Sequence, residues 1–282
     1  MKIAVLSGKG GTGKTLVSTN LSNVLSKKYI TQLLDCDVEE PNSHIFFDVK
    51  YDTEKTVEML LPVVDNTACI RCGECAKACQ FGAISSFKTG TIVFESLCHG
   101  CGLCAMVCPV NAISEKPKSM GKIKYGKIKD NFYFGMGLLN IGEPSGVKVI
   151  RELKSGMKKN AEITILDSPP GASCPVVETL RKMDYAILVT ESTPFGLHDL
   201  KVALRVVEDM KIPCGVVINR YDSFFKEMEE YLQFKHIPVL MKIPFDREIA
   251  IHYSKGELFT EFMPKYKKEF EFMFEKIKEA IK

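Results

Sequence analysis

The sequence lacks a long hydrophobic run, a strong net charge and a leader segment. No apolar stretch reaches the roughly 18 residues that a membrane-spanning helix needs. The formal net charge is only +3, which does not favour nucleic acid as the main partner. The strand-like run KIAVL follows Met1 at once and leaves no room for a signal peptide. We therefore expect a cytoplasmic protein with no nucleic-acid partner and no membrane partner.

Cysteine, by contrast, is abundant, with 11 residues in a chain of 282. In a reducing compartment, cysteines are metal ligands or redox groups more often than structural disulfides. Eight of the 11 lie between Cys69 and Cys108, whereas Cys36, Cys174 and Cys214 stand apart. This clustering predicts a local cysteine-rich module.

Outside that module, short apolar runs rich in β-branched residues alternate with segments of helical spacing. The runs cover residues 2–6, 29–35, 162–167, 185–190, 214–219 and 238–243. The helical segments cover residues 14–26, 147–157, 197–210, 223–234 and the stretch after Pro264. Nearly continuous apolar strands are typical of a sheet buried on both faces. The alternation predicts a doubly wound α/β fold with a mostly parallel sheet.

The cysteine-rich segment repeats itself. IRCGECAKACQFGAI and HGCGLCAMVCPVNAI share one template at a period of 29 residues, which indicates an internal duplication. Short strand-like pieces are expected at 82–85 and 91–94. We expect a small α+β domain at 63–118, inserted into a discontinuous α/β domain formed by 1–62 and 119–282.

A phosphate-binding motif follows the first predicted strand. Residues 8–15 read GKGGTGKT, which satisfies G-x-x-x-x-G-K-[ST] between a strand and a helix. Glycines allow successive backbone N–H groups to turn toward phosphate oxygens, and the helix N-terminus adds the positive end of its dipole. We expect Lys14 to bridge the β- and γ-phosphates and Thr15 to bind Mg²⁺. The predicted ATP-binding residues in this loop are Gly8, Lys9, Gly10, Gly11, Thr12, Gly13, Lys14 and Thr15.

Lys9, the second residue of this motif, makes it resemble the deviant Walker A motif of the SIMIBI-class P-loop ATPases of the MinD/Mrp and ParA type. That family also includes the nitrogenase iron protein, the arsenical-pump ATPases and the Mrp-type iron–sulfur carriers. In the family, the extra lysine reaches across a dimer to the partner's nucleotide. The resemblance implies a Mg²⁺-dependent ATPase that forms an ATP-dependent homodimer, with Lys9 and Lys14 catalytic. A solvated loop lysine is the alternative for Lys9.

Two further motifs resemble the switch regions of this family. LLDCDVEEPN resembles switch I, which implies that Asp37 acts catalytically on the attacking water and that Asp35 supports the metal shell. ITILDSPPG resembles Walker B and switch II, which implies that Asp167 holds a Mg²⁺-bound water and that Gly171 lies near the γ-phosphate. The implied Mg²⁺ site is therefore formed by Thr15 together with these three aspartates.

Two later segments complete the resemblance, which covers residues 1–62 and roughly 130–260. VVINR and IPFD match the positions at which members of the family hold adenine. The resemblance implies ATP contacts from Asn219 and Arg220 and from the backbone around Pro244.

The clustered cysteines form two runs with the spacing C-x₂-C-x₂-C-x₃-C. This is the spacing of bacterial two-cluster ferredoxins, in which the fourth cysteine of each run ligates the other cluster. The predicted ligands are Cys69, Cys72, Cys75 and Cys108 for one 4Fe–4S cluster, and Cys98, Cys101, Cys104 and Cys79 for the other. Zinc is the alternative, although such runs match a zinc site poorly. Proline follows Cys108, whereas Gln80 follows Cys79, a departure that can change one cluster's potential.

Three features leave alternatives open. Cys174 resembles a cluster ligand of the nitrogenase iron protein, but no second cysteine is available, and a small buried thiol is the preferred interpretation. The basic stretch 116–129 is interpreted as a solvated hairpin or linker, with docking of an acidic redox partner as the alternative. The apolar face of the final helix is expected to pack on the sheet, and membrane binding is the weaker possibility.

Three classes of function are consistent with these motifs. We favour an ATPase that couples nucleotide state to electron transfer through the two clusters, with an unidentified redox partner. The alternative is an iron–sulfur or metallocofactor assembly or carrier ATPase of the Mrp type, with an unidentified cluster acceptor. A spatial organiser of the MinD or ParA kind is disfavoured because it has no use for two clusters.

Overall fold

The computed structural model describes residues 1–281. Its strands are β1 (Lys2–Leu6), β2 (Thr31–Asp35), β3 (Lys50–Val64), β4 (Ile84–Phe87), β5 (Gly90–Val93), β6 (Ile113–Lys129), β7 (Phe132–Leu139), β8 (Ile163–Asp167), β9 (Tyr185–Glu191), β10 (Cys214–Tyr221) and β11 (Val239–Pro244). Its helices are α1 (Lys14–Ser26), α2 (Glu74–Ala78), α3 (Leu103–Met106), α4 (Val147–Ser155), α5 (Cys174–Leu180), α6 (Pro194–Asp209), α7 (Glu227–Phe234), α8 (Arg247–Ser254), α9 (Phe259–Phe262) and α10 (Pro264–Ile281).

Nine strands form one sheet in the order β11-β10-β9-β1-β8-β2-β7-β6-β3. From β11 to β7, each neighbouring pair is parallel, whereas β6 is antiparallel to both β7 and β3. The remaining strands, β4 and β5, form a separate hairpin within the cysteine-rich segment. The predicted α/β fold with a mostly parallel sheet is confirmed.

Helices cover both faces of this sheet. Alternate side chains of β1 separate two buried clusters: Ile3 and Val5 pack with α1 and α10, whereas Ala4 and Leu6 pack with α4 to α7. The apolar face of α10 is buried in the first cluster, through Tyr266, Phe270, Met273, Phe274 and Ile277. The preferred interpretation of the final helix, packing on the sheet, is therefore correct. Within residues 1–281, no helix is long and apolar enough to cross a bilayer.

The sequence did not predict β3, β6 and β7. The basic stretch 116–129 is most of β6, which pairs with β3 on one side and forms a hairpin with β7 on the other, so the hairpin interpretation is correct and the linker interpretation is wrong. Its lysines hid the strand, because four of them pair with acidic residues, of which Glu54 lies in the partner strand β3 and Glu95 and Glu143 lie outside the ladder. The ion pairs are Lys116–Glu95, Lys118–Glu143, Lys122–Glu54 and Lys124–Glu54, at 3.0, 2.9, 2.8 and 3.1 Å. This pairing also weakens the case for an acidic docking partner.

The antiparallel strands carry the cysteine-rich segment to one edge of the sheet. Gly121 of β6 pairs with Leu139, the last residue of β7, and β6 residues before Gly121 pair only with β3. A two-stranded ribbon, residues 58–64 and 113–119, therefore extends beyond the carboxyl ends of the parallel strands. The loop at the end of this ribbon, residues 65–112, contains all eight clustered cysteines. In open α/β sheets, ligands bind at this carboxyl edge.

The two halves of the cysteine-rich loop have equivalent backbone conformations 29 residues apart. Positive φ angles occur at Arg71 and Gly100 (60° and 61°), at Gly73 and Gly102 (78° and 74°), and at Gly82 and Asn111 (63° and 51°). Two symmetric backbone hydrogen bonds, Asp65 N–H to Ala112 O and Phe94 N–H to Ala83 O, each measure 2.8 Å. The short strands lie within two residues of the pieces expected at 82–85 and 91–94. The sequence duplication is therefore also a structural one.

Candidate nucleotide site and cysteine centres

The phosphate-binding loop joins β1 to α1 and is contacted by a residue of β10. Gly11 and Gly13 have φ angles of 78° and 100°, a region in which side chains other than glycine are strained. A Cβ at Gly13 would also collide with the Asn219 amide. That amide donates a 2.8 Å hydrogen bond from Nδ2 to the Thr12 carbonyl. Asn219, predicted as an adenine contact, thus fixes the shape of the loop as well.

A cavity of about 440 Å³ opens in front of this loop, within the size range of small-ligand sites. The predicted residues that line it are Gly10, Gly11, Gly13, Lys14, Thr15, Asp37, Asn219, Arg220 and Pro244. The remaining lining residues are apolar (Leu16, Pro170, Phe245, Ile249, Ala250 and Tyr253) or polar (Glu40, Asn42 and Asp246). The loop glycines with Lys14 form a phosphate end that suits the phosphates of a nucleotide, and the apolar side chains suit its base.

Two buried aspartates lie under the phosphate end. Asp35 and Asp167 end the neighbouring parallel strands β2 and β8 and are register partners. Ser43 connects them, because its N–H donates to Asp35 Oδ2 (2.9 Å) and its hydroxyl donates to Asp167 Oδ2 (3.0 Å). Burial, and then repulsion from Asp167, raises the pKa of Asp35 well above its ordinary value. Burial also raises the pKa of Asp167, against the opposing effect of Lys14.

Asp35 and Asp167 differ in how many hydrogen bonds their carboxylate oxygens already accept. Asp35 accepts backbone hydrogen bonds from Asp37 and Asn42 as well as from Ser43, so it organises the switch I loop. Asp167 Oδ1, in contrast, is buried and has no hydrogen-bond partner among residues 1–281. A buried acceptor without a donor is costly unless a ligand satisfies it. Asp167 therefore fits a hydrated Mg²⁺ held together with Thr15, although Thr15 lines the cavity and Asp167 does not.

Asp37 faces the cavity between the acids and the phosphate-binding lysine. Burial raises its pKa to about 6, an effect that Lys14 opposes and Asp167 reinforces. A carboxylate with such a pKa is partly protonated near neutral pH and can accept a proton from water.

Gly8, Lys9, Thr12 and Gly171, predicted as ATP contacts, do not line the cavity. Gly171 N–H donates to the Ser7 carbonyl at 2.9 Å, so it is engaged with the start of the phosphate-binding loop. The Lys9 ammonium lies 3.8 Å from Glu191 Oε2, and the Arg220 guanidinium lies 2.8 Å from Glu191 Oε1. Contacts of Gly171 or Lys9 with a γ-phosphate therefore require rearrangement of these segments.

The eight clustered cysteines line two cavities in the loop. One is lined by Cys69, Cys72, Cys75 and Cys108, and the other by Cys98, Cys101, Cys104 and Cys79. The structure thus brings the fourth cysteine of each run beside the first three of the other run. Between the two cavities, Cys75 packs with Ile84 and Ile113 in a small apolar core. The equivalent residues Cys72 and Cys101 are exposed.

Backbone N–H groups are directed at the cysteine sulfurs in a symmetric pattern. Ala83 donates to Cys79 Sγ at 3.3 Å, and Ala112 donates to Cys108 Sγ at 3.2 Å. No group of three or more histidine, cysteine, aspartate or glutamate side chains among residues 1–281 is arranged to hold a metal ion. Four thiolates of a 4Fe–4S cluster bind four different irons, so they stand farther apart than the ligands of one ion.

Comparison with known proteins places the nucleotide site in a family. Residues 3–259 match the family described as the CobQ/CobB/MinD/ParA nucleotide binding domain. The chain belongs to this family. It is therefore an ATP-binding P-loop ATPase of the MinD/ParA type, and the sequence resemblance on this point is confirmed.

Among the relatives of this MinD/ParA-type ATPase are two uncharacterized proteins of Methanocaldococcus jannaschii. One is 36% identical over 100% of the chain and 98% of the relative, and the other is 38% identical over 93% and 92%. A more distant relative is the iron-sulfur cluster carrier protein of Pyrococcus horikoshii, 27% identical over 87% of the chain and 74% of the relative. Among solved structures, the septum site-determining protein MinD of Pyrococcus horikoshii with Mg-ADP aligns with a TM-score of 0.61 at 20% identity, covering 98% and 95%.

Three residues at the nucleotide site of this MinD/ParA-type ATPase were missed by sequence reasoning. Ser43 connects the two buried aspartates, and its position immediately after the switch I motif was the available signal. Phe245 and Tyr253 line the apolar end of the cavity. Phe245 belongs to the IPFD segment, whereas Tyr253 comes from α8 and meets Phe46 of switch I at a ring-centroid distance of 5.1 Å. No local sequence signal indicated that contact.

Cys174 corrects one expectation. It begins α5 just after switch II and is exposed, so the preferred interpretation as a buried thiol is wrong. The exposure follows from its position at the first turn of α5, where Val176 and Leu180 take the buried face.

Proposed function

We propose that this ATPase couples its nucleotide state to electron transfer through two 4Fe–4S clusters bound by the loop at 65–112. The observation that carries the proposal is the division of eight cysteines between two cavities, each set taking its fourth member from the other half of the duplication. Such crossed sets are the ligand pattern of bacterial two-cluster ferredoxins. In this proposal, residues 63–118 are a ferredoxin domain inserted into the ATPase domain of residues 1–62 and 119–282.

At the nucleotide site, each proposed role follows from position. Lys14 offsets the negative charge of the β- and γ-phosphates, and Thr15 and Asp167 hold hydrated Mg²⁺. Asp37 orients the attacking water and accepts its proton. The base lies at the apolar end of the cavity, beside Pro244 and Phe245.

Lys9 gives the site a means of responding to a second copy of the chain. Its side chain is 39% exposed, and its ammonium is held loosely by Glu191 across 3.8 Å. Surface pairs of this kind contribute at most ~1 kcal/mol, so a triphosphate on a partner copy can compete for the lysine. Glu191 retains Arg220 at 2.8 Å as its other cation, which limits the cost of releasing Lys9. We therefore include an ATP-dependent homodimer in the proposal.

Bound clusters would accept and release single electrons at low potential. The protein's own residues hold the clusters in place and reduce the effect of their negative charge. Backbone N–H groups of Ala83 and Ala112 offset the negative charge on two sulfurs, and the apolar core at Cys75, Ile84 and Ile113 separates the two sites. Exposed Cys72 and Cys101 leave one edge of each site open to a redox partner.

A continuous set of contacts joins switch I to the ribbon that carries the cysteines. Val38, next to Asp37, accepts a 2.8 Å hydrogen bond from Leu139 N–H at its carbonyl oxygen. The adjacent Asn140 N–H donates to Met120 O at 2.9 Å, at the base of the ribbon. The Asn140 side-chain amide also donates to Ser119 O at 3.0 Å.

The same loop adds an ion pair to the ribbon. Glu143, whose side chain is only 7% exposed, lies 2.9 Å from Lys118. Between the cysteine segment and the strand that ends at Asp167 lie β6, β7 and α4. Coupling therefore takes place through side-by-side contacts of switch I and the ribbon base, and a shift of Val38 changes the tilt of the ribbon.

Two measurements on anaerobically purified full-length protein test the proposal. Iron and sulfide should each be about eight per chain, because two 4Fe–4S clusters are bound. Redox titrations without nucleotide, with ADP and with a non-hydrolysable ATP analogue should give different midpoint potentials. By reciprocity, reduction should change nucleotide affinity, by tenfold for each ~1.4 kcal/mol of coupling. Three superimposable titrations would refute coupling, and an iron content near four would refute two clusters.

The second candidate is an iron–sulfur cluster carrier. It is favoured by the relatives named iron-sulfur cluster carrier protein, such as that of Pyrococcus horikoshii at 27% identity. A carrier must release its cluster, whereas crossed ligands in two cavities favour retention. The discriminating experiment mixes loaded protein with an apo-ferredoxin, with and without ATP. Transfer of iron with matching loss from this protein supports the carrier, and unchanged iron content supports electron transfer.

A further inference from the structure

The 29-residue duplication makes the surroundings of the two cysteine cavities directly comparable. The residue seven positions before Cys98 is Thr91, which lines the cavity of Cys69. The equivalent residue seven positions before Cys69 is Pro62, which lines the cavity of Cys98. One cavity therefore has a hydroxyl where the other has a proline ring, which carries no donor.

The Thr91 hydroxyl is aimed at a ligand sulfur. Its Oγ1 lies 3.5 Å from Cys69 Sγ and 3.1 Å from Ser86 Oγ. A cysteine that ligates iron is a thiolate and can only accept, so Thr91 must then donate to Cys69 Sγ. Once Thr91 donates to the sulfur, Ser86 must donate to Thr91, which reverses the assigned bond from Thr91 Oγ1 to Ser86 Oγ, because a hydroxyl carries a single proton and rotates to suit its partners. The result is a polarised chain that ends on one cluster ligand.

The other sulfur contacts are matched between the two sites. Ala83 N–H to Cys79 and Ala112 N–H to Cys108 are equivalent and differ by only 0.1 Å, at 3.3 and 3.2 Å. Gly100 N–H donates to Cys98 Sγ at 3.4 Å. Its counterpart is the backbone N–H of Arg71, which is directed at Cys69. Among the sulfur contacts of residues 1–281, the contact from the Thr91 hydroxyl has no counterpart at the other site.

We propose that Thr91 is a positioning residue for electron transfer, which makes the cluster of Cys69, Cys72, Cys75 and Cys108 the one of higher potential. The inference rests on the proposed function, because it presupposes both clusters. A hydrogen bond to a ligand sulfur stabilises negative charge, and the reduced cluster carries one more negative charge than the oxidised one. The first electron from a one-electron donor such as dithionite therefore resides at the Cys69 site. The cluster at Cys98 is the stronger reductant.

The experiment is a potentiometric titration of cluster-loaded full-length protein, followed by electron paramagnetic resonance. Wild-type protein should show two unequal midpoints. Thr91→Val, which keeps the shape and removes the hydroxyl, should shift only the higher midpoint to a more negative value and narrow the gap. Thr91→Ser, which keeps a hydroxyl, should restore the wild-type gap. Pro62→Thr, the symmetric change, should raise only the lower midpoint.

A variant with a smaller expected effect provides a second test in case Thr91→Val misfolds. Ser86→Ala removes only the donor behind Thr91 and should shift the same midpoint in the same direction by a smaller amount. If neither Thr91→Val nor Ser86→Ala moves the higher midpoint, or if the lower midpoint moves instead, the inference is overturned. Iron analysis is made on every sample. A count near four in the wild type would contradict the proposed function, whereas a count near eight with unmoved midpoints contradicts only the role of Thr91.

Discussion

The pKa of Asp37 provides a quantitative prediction for ATP hydrolysis. Burial raises this pKa to about 6, with Lys14 opposing the shift and Asp167, Glu39 and Glu40 reinforcing it. If Asp37 accepts a proton from the attacking water, only its ionised form is active. The hydrolysis rate should therefore fall as pH is lowered through about 6, because protonation removes the base.

The size of the effect follows from the titration. With a pKa near 6, about 9% of Asp37 is ionised at pH 5 and about 91% at pH 7, so the rate should rise about tenfold. An aspartate with an ordinary pKa is more than about 90% ionised at pH 5 and gives a nearly flat profile over this range. The two cases are therefore easily separated.

The assay is steady-state phosphate release at saturating Mg-ATP between pH 5 and 8, with ATP binding measured in parallel. Asp37→Asn should bind ATP normally, lower the rate by about 10²–10⁴-fold and abolish the inflection near pH 6. Glu40→Gln, which removes a neighbouring charge, should keep the rate and move the inflection to lower pH. A flat wild-type profile, or an inflection that persists in Asp37→Asn, would refute the assignment of Asp37 as the base.

Three further predictions concern the lysines and the ribbon. Lys14→Ala should weaken ATP binding by at least roughly 30-fold in calorimetry, because a lost charge contact costs about 2–5 kcal/mol, and near-normal affinity would contradict the phosphate role. Lys9→Ala should bind ATP as a monomer and fail to dimerise with an ATP analogue in light scattering, whereas Glu191→Gln should dimerise at lower analogue concentration. If both variants behave as wild type, the dimer proposal fails. Glu143→Gln should keep eight irons and basal ATP hydrolysis but lose most of the nucleotide-dependent potential shift, whereas Lys55→Met, which breaks the exposed pair with Glu152, should keep it.

Several features of the fold could be read from local sequence. A parallel strand buried on both faces must be apolar throughout, so the six apolar runs marked the central strands within a few residues. The strands β3, β6 and β7 were missed because they are not apolar throughout. They lie at the antiparallel end of the sheet, where lysines reach acidic neighbours and Gly135 and Gly137 interrupt the apolar pattern of β7.

The nucleotide site divides in the same way. The phosphate-binding loop is contiguous, so its glycines and Lys14 are visible as a motif, and strand ends marked Asp35 and Asp167. Ser43 and Tyr253 approach the site from switch I and α8, and their contacts depend on how separate elements pack. Packing of distant segments leaves no local periodicity to detect.

In the cysteine loop, the sequence and the tertiary structure determined different features. The spacing of the cysteines by itself determined two repeated half-sites, because each half must form the same turns around its own set of thiolates. Only the tertiary structure decided that these half-sites stand at the carboxyl edge of the sheet, where β6 continues past the end of β7. It also placed Thr91 beside Cys69 and Pro62 beside Cys98. The physical reason is that the register of the β3–β6 ladder and the path by which the chain returns across the loop set which distant residues meet. The spacing of residues within one motif determines neither of them.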